Sequence, residues 1–101
     1  MTYTVGFSPE ATVHLEDLRD YIAANASWAI ADGYIEDILS MCMSLDVLPY
    51  RGAQRDDIRP GLRTLGFRRR AVIAFRISEK SRQVDILGVY YGGREVPMTL
   101  D

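Results

Sequence analysis

The sequence predicts an α+β fold, ordered strand-helix-helix-strand-strand-strand, in which a helical hairpin packs on one face of a mainly antiparallel four-stranded sheet. Three observations carry this. Apolar residues recur at helical spacing through most of residues 9–46, alternating apolar segments dominate residues 62–91, and one further alternating segment opens the chain. With 101 residues and 48% hydrophobic content, the chain is expected to form one domain over residues 1–101 around a single modest core.

Thr2 to Phe7 sets Tyr3, Val5 and Phe7 against Thr2, Thr4 and Gly6, the pattern of a half-buried strand. Ser8-Pro9-Glu10 is a helix start: a capping hydroxyl, a proline whose missing donor is harmless in the first turn, and an early carboxylate. The first helix should run to about Ala24 with Ala11, Leu15, Leu18 and Ile22 as its buried stripe, leaving His14, the only histidine, as a surface residue beside it. Ser27 caps a second helix reaching about Asp46, whose stripe is Trp28, Ala31, Ile35, Ile38, Cys42 and Leu45, widened by Tyr34, Met41 and Met43. Gly33 inside this helix suggests close approach by another backbone. Cys42, the single cysteine, reads as a buried reduced thiol.

Pro49 and Gly52 close the helical part, and residues 50–61 read as a long irregular connection. The next strand is expected over Leu62 to Phe67, followed by a basic turn, Arg68, Arg69 and Arg70. A third strand, Ala71 to Ile77, sets Ile73, Phe75 and Ile77 against Val72, Ala74 and Arg76. The last strand, Val84 to Tyr91, alternates Val84, Ile86, Gly88 and Tyr90 against Asp85, Leu87, Val89 and Tyr91. Both sets are largely apolar, which makes this strand central, and it exits through Gly92 and Gly93 into Arg94 and Glu95. The face away from the helices should display Arg63, Val72, Arg76, Val89 and Tyr91.

The net charge of −2 conceals an asymmetry: residues 1–50 carry one basic and eight acidic side chains, residues 51–101 eleven basic and six acidic. Ten of those eleven are arginine, which favours planar, bidentate recognition of an acidic or phosphate-bearing partner. No apolar run approaches the roughly 20 residues of a membrane span, and the N-terminus carries no basic-then-apolar signal, so a cytoplasmic protein without direct membrane contact is expected. One histidine and one cysteine supply no metal-ligand spacing, and no cofactor is expected.

Leu45, Pro49 and Gly52 after the helical hairpin, then Gly61, Leu62, Arg63 and Leu65, the AVIAFRI strand, and Val84, Ile86, Leu87 and Val89 before the GGRE exit resemble, in order and spacing, the RelE/ParE superfamily of bacterial toxins, the ParE branch in particular. The resemblance implies the toxin of a type II toxin–antitoxin system. Its cognate ParD-like antitoxin would carry a ribbon-helix-helix N-terminus, reach operator DNA on the toxin's behalf, and wrap the toxin with its C-terminal segment. ParE members poison DNA gyrase; RelE members cut messenger RNA on the ribosome.

Metal-free RNA cleavage needs a proton acceptor for the 2′-hydroxyl, a donor for the leaving oxygen and positive charge on the phosphate. Arg94 matches the superfamily arginine at the strand exit and Arg63 another common one, but the strand position where nucleases carry an arginine is Val72, and no tyrosine follows Arg94. The resemblance therefore implies a binding toxin, with no catalytic residues assigned. An endoribonuclease using Arg68, Arg69 or Arg70 instead, or an inactive toxin-fold binding protein, are the alternatives. Expected target contacts are Arg94, Arg63, Arg68, Arg69, Arg70 and Glu95. Expected antitoxin contacts are Leu18, Ile22 and Tyr34 along the hairpin edge, where an amphipathic helix would dock, and Arg76 and Tyr91 on the sheet.

Overall fold

Helix and sheet meet through one cap. In a computed structural model of the chain, which describes residues 2–92, Ser8 closes strand β1 (Thr4–Phe7) and starts helix α1 (Pro9–Asn25). Its Oγ accepts from the Ala11 amide at 3.0 Å and donates to the Leu87 carbonyl of the last strand at 3.1 Å. Helix α2 (Trp28–Met43) follows after two residues, capped by Ser27, whose Oγ accepts from the Ile30 amide. The sheet then adds β2 (Ala53–Gln54), β3 (Leu62–Phe67), β4 (Ala71–Ser78) and β5 (Gln83–Tyr91). Its strand order is β1-β5-β4-β3-β2, with β1 parallel to β5 and every other pair antiparallel.

The sheet has five strands where four were expected. The addition, β2, lies inside the connection read as irregular and pairs with Arg63 and Thr64; two residues are too few for alternation to register. Gly52 makes it possible: at φ 74° a β-carbon there would stand 2.1 Å from the Thr64 carbonyl oxygen. The rest of the connection folds back on β3, with the Arg55 amide on the Leu62 carbonyl and the Asp56 carboxylate accepting from the Gly61 amide.

Ala11, Leu15, Leu18 and Ile22 of α1 and Ala31, Ile38 and Cys42 of α2 are buried against Ile73, Phe75, Val84, Ile86 and Val89. Three helical expectations change. Regular α2 stops at Met43, and the last turn tightens into a 3-10 helix over Ser44–Asp46 that still buries Leu45. Trp28 stands outside the stripe, exposed under the Arg19 guanidinium, which also pairs with Asp32 at 2.6 Å. Gly33 faces open space, with nothing within 4 Å of a β-carbon built on it. Cys42 is fully buried, and burial pushes its thiol up to about 12, the condition of an inert core thiol.

Strand β5 is internal, as its two apolar faces demand, but its alternation slips. Ala74 pairs with Gly88 and Phe75 with Ile86, so Leu87 has no partner across the ladder. Beyond this bulge the faces exchange: Val89 and Tyr91 join Val84 and Ile86 on the helix side, while Leu87 and Tyr90 join Leu62, Ala74 and Ile58 on the other. The expected open face is corrected accordingly, since Val89 and Tyr91 do not belong to it. Nor does Arg63, which lies opposite Phe75 on the helix side. Strand β4 keeps the alternation expected of it.

Edge strand β1 ends at Phe7, opposite Ile86, leaving the outer edge of β5 beyond it to α1. There the Val89 amide donates to His14 Nδ1 at 3.2 Å, and the imidazole leans on the Tyr90 ring, centroids 5.1 Å apart. His14 is thus half-buried and fastens the helix to the strand just past the bulge, correcting its expected surface role. Tyr90 folds back over Gly88, where a β-carbon would meet its hydroxyl at 2.7 Å.

Candidate recognition surface

Strands β3 and β4 are joined by three residues, Arg68, Arg69 and Arg70, with Phe67 opposite Ala71 and the Arg70 amide on the Phe67 carbonyl at 3.2 Å. A β-turn whose two central residues both have positive φ is of the I′ kind, which favours Asn and Gly because they tolerate left-handed backbone. This chain uses two arginines, at φ 49° and 62°. Crowding of the β-carbon in that region costs about 1–2 kcal/mol per residue.

Packing holds the first of the two. The Arg68 guanidinium pairs with Asp37 of α2 and stands over two rings, 4.9 Å from the Phe67 centroid and 5.6 Å from that of Tyr34. Below it the aromatic groups run edge to face: Tyr34 with Phe67 at 5.2 Å, Tyr34 with Tyr91 at 5.8 Å, and Tyr91 with Tyr21 at 5.9 Å. The Tyr34 hydroxyl is buried without a hydrogen-bond partner, and burial pushes its ionisation upward. Arg69 and Arg70 are exposed, and no ion pair engages them among the described residues.

The same turn touches the end of the last strand. Ala71 pairs with Tyr91, and the Gly92 amide donates to the Arg70 carbonyl at 2.9 Å. The basic turn therefore adjoins the exit that leads toward Arg94 and Glu95, which lie outside the described residues.

The other expected site residues are placed apart from this turn. Arg63 lies four residues before Phe67, roughly 13 Å along β3. Its Nε donates to the Arg51 carbonyl and its guanidinium sits over Tyr50. Arg76, opposite Leu62 and Asp85, lies on the other face of the sheet from Arg63, half-buried with its stem near Gly61. Leu18 and Ile22, expected on a docking edge, are 6% and 8% exposed and belong to the core, because the α1 stripe is consumed by α2 and the sheet. The apolar residue that does reach the surface between them is Tyr21, 56% exposed. Its flanking position beside a regular stripe was the only signal available in sequence. Tyr34 and Tyr91 are half-buried and do share one surface with Tyr21.

A second polar cluster, carried by no spacing motif, closes the opposite end of the sheet. The Glu79 carboxylate accepts from the Tyr3 hydroxyl at 2.6 Å, from the Tyr50 hydroxyl, and from Arg82 at 3.2 Å, and the Arg82 guanidinium covers the Tyr3 ring at 4.1 Å. Donation to Glu79 pushes Tyr50 up to about 12 and raises Tyr3, while the two phenols, and then Arg82, hold the Glu79 carboxyl below its ordinary value. These shifts favour protonated phenols on an ionised carboxylate, a clamp between the start of the chain, the α2–β2 connection and the β4–β5 turn.

The family described as the ParE toxin of the type II toxin-antitoxin system parDE matches residues 5–96. The chain belongs to this family. Its fold is that of the RelE/ParE toxins. A chain of the chromosomal ParDE toxin–antitoxin system of P. aeruginosa superposes with a TM-score of 0.76 at 22% identity, over 89% of this chain and 96% of that one. A chain of the RelBE2 toxin–antitoxin complex of Mycobacterium tuberculosis does so with a TM-score of 0.63 at 20% identity, over 90% and 99%. Among curated proteins, none matches in sequence. Within this ParE-family chain, no helix of the described residues is long and apolar enough to cross a membrane, and no group of three histidine, cysteine, aspartate or glutamate side chains there could hold a metal ion.

Proposed function

We propose that this ParE-family toxin acts in the cytoplasm by binding and poisoning DNA gyrase, without covalent chemistry of its own, and is neutralised by a ParD-like antitoxin. The observation that carries the reading is the juxtaposition at one end of the sheet: the exposed Arg68–Arg70 turn is hydrogen-bonded to the end of β5, from which the chain continues to Arg94. Arg94 is the principal target contact, with the turn beside it, Glu95 flanking it, and Arg63 contributing from further along β3. Val72 supports binding over cleavage, since it lies opposite Tyr90 where a nuclease would need a cation for the phosphate.

The antitoxin contacts are Tyr34 and Tyr91, joined by Tyr21 in place of the buried Leu18 and Ile22, with Arg76 meeting an acidic stretch on the sheet. Because Tyr34 lies under Arg68, an antitoxin seated there covers target-facing charge, so neutralisation works by occlusion.

Purified toxin is expected to block supercoiling by gyrase or to accumulate covalent gyrase–DNA complexes, and Arg94→Ala to abolish growth inhibition without lowering Tm. Absence of any effect on gyrase at saturating toxin would sink this target. An immediate halt of protein synthesis on expression, before DNA damage, would instead establish the endoribonuclease.

A further inference from the structure

The two edges of the sheet are finished differently. Strand β2 is two residues long and flanked by Arg51 and Arg55, the short, charged kind of edge that resists pairing. Strand β1, at the other edge, has neither protection: no charged side chain occurs from Thr2 to Pro9, and the strand holds no proline or bulge. The Thr4 and Ser8 amides turn inward to the Arg82 and Ile86 carbonyls, each at 2.9 Å, whereas the Tyr3 amide turns outward to the Asp46 carbonyl at 2.7 Å. The strand period of two therefore aims the backbone groups of Val5 and Phe7 outward, and neither amide meets a backbone acceptor there among the described residues.

Gly6, between them, is not required by its own chain. Its φ is not positive, and a β-carbon there would meet only the end of the Gln83 side chain, at 3.5 Å, an ordinary contact. A glycine inside a strand marks a place where another backbone comes close. Just past the Asp46 contact, Val47 and Leu48 are 60% and 63% exposed, an apolar rim beside the open edge.

We propose that the open edge of β1 pairs with the same edge of a second copy of this chain, antiparallel about a two-fold axis at Gly6. In that register Val5 of each copy faces Phe7 of the other, so the free amides and carbonyls exchange bonds in both directions. Gly6 then faces Gly6 in the close pair between them, where Cα atoms approach to about 4.5 Å and side chains crowd most. A second copy fits this edge better than a charged segment of another protein, because the strand offers such a segment no ionised partner, while two neutral edges meet without repulsion. Strand β1 runs parallel to β5, toward the end that carries the basic turn, so the pair presents two recognition surfaces pointing in opposite directions.

Sedimentation equilibrium of the full chain, from roughly 10 μM to 1 mM, should show monomer and dimer in exchange. Over the same range, hydrogen exchange of the Val5 and Phe7 amides should slow by about tenfold while that of the β2 amides stays constant. Gly6→Lys and Gly6→Glu each set like charges opposite one another at the axis, so each alone should dimerise about tenfold more weakly than the parent, with little change in Tm at low concentration. Mixed in equal amounts, the two variants should pair again, since lysine then faces glutamate, a recovery that damage to the fold would not give. A dimer that both variants leave intact, or amides of Val5 and Phe7 whose exchange ignores concentration, would overturn the proposal. So would a chain that stays monomeric to about 1 mM, which would leave the edge to a strand of a different protein.

Discussion

Gly33 is the clearest single-residue liability in the fold. It sits in the interior of α2, exposed, with no neighbour that a methyl group would touch, so nothing in the chain requires a glycine there. Gly33→Ala should raise stability by about 0.5–1 kcal/mol, seen as a higher denaturant midpoint at unchanged slope, because the unfolded chain loses freedom and the helix gains a better former. Gly52 is the contrasting case: its positive φ and the 2.1 Å approach to the Thr64 carbonyl leave no room for any side chain. In sequence the two looked alike, since a glycine announces its tolerance of unusual backbone but not what stands in front of it. His14 was misread for a related reason. A lone histidine beside an apolar stripe carries no sign that a strand amide will come to meet it.

At the scale of the element, β5 depends on that histidine. Strand β1 ends opposite Ile86, just before the bulge at Leu87, and α1 completes the outer edge through the bond from the Val89 amide to His14. His14→Ala should cost about 1–3 kcal/mol by leaving a part-buried amide unpaired, and hydrogen exchange of the Val89 amide should accelerate more than that of amides in β3. The strands themselves were legible, Leu62 to Phe67 to the residue, because both faces are patterned by the two layers they serve. The bulge was not: one extra residue leaves composition and hydrophobicity untouched while exchanging every later face, which is how Tyr91 and Val89 came to be assigned to the wrong side. Strand β2 escaped notice because Gly52 and the ladder with Arg63 and Thr64 define it, not its own two residues.

Over the whole molecule two polar features stand at opposite ends of the sheet, the basic Arg68–Arg70 turn at one and the Tyr3–Tyr50–Glu79–Arg82 clamp at the other. The clamp gives stability a pH signature with two limbs. Glu79 has its carboxyl held low in the folded state, so its contribution is present above the ordinary carboxylate value and disappears as pH falls through the lowered one. Tyr50 is raised from 10.0 to about 12, so its contribution is complete below 10 and disappears as pH rises through about 12. Denaturant midpoints recorded across both ranges should fall at each extreme, and Glu79→Gln should flatten the acid limb and blunt the alkaline one. The clamp was invisible in sequence because its members, at positions 3, 50, 79 and 82, meet only after folding. The basic half of the chain, by contrast, was plain from composition, although the separation of Arg63 from the turn was not. The parallel pairing of β1 with β5 has a consequence for synthesis. Thr4 waits for Gln83, so a ribosome must deliver nearly the whole chain before the first strand acquires its neighbour, and until then the α1–α2 stripe lacks Val84, Ile86 and Val89 of the strand that completes its cover. Messages broken before the codon for Gln83 therefore yield nascent chains that cannot assemble the surface described above, and such fragments enter the cell as substrates for chaperones and proteases.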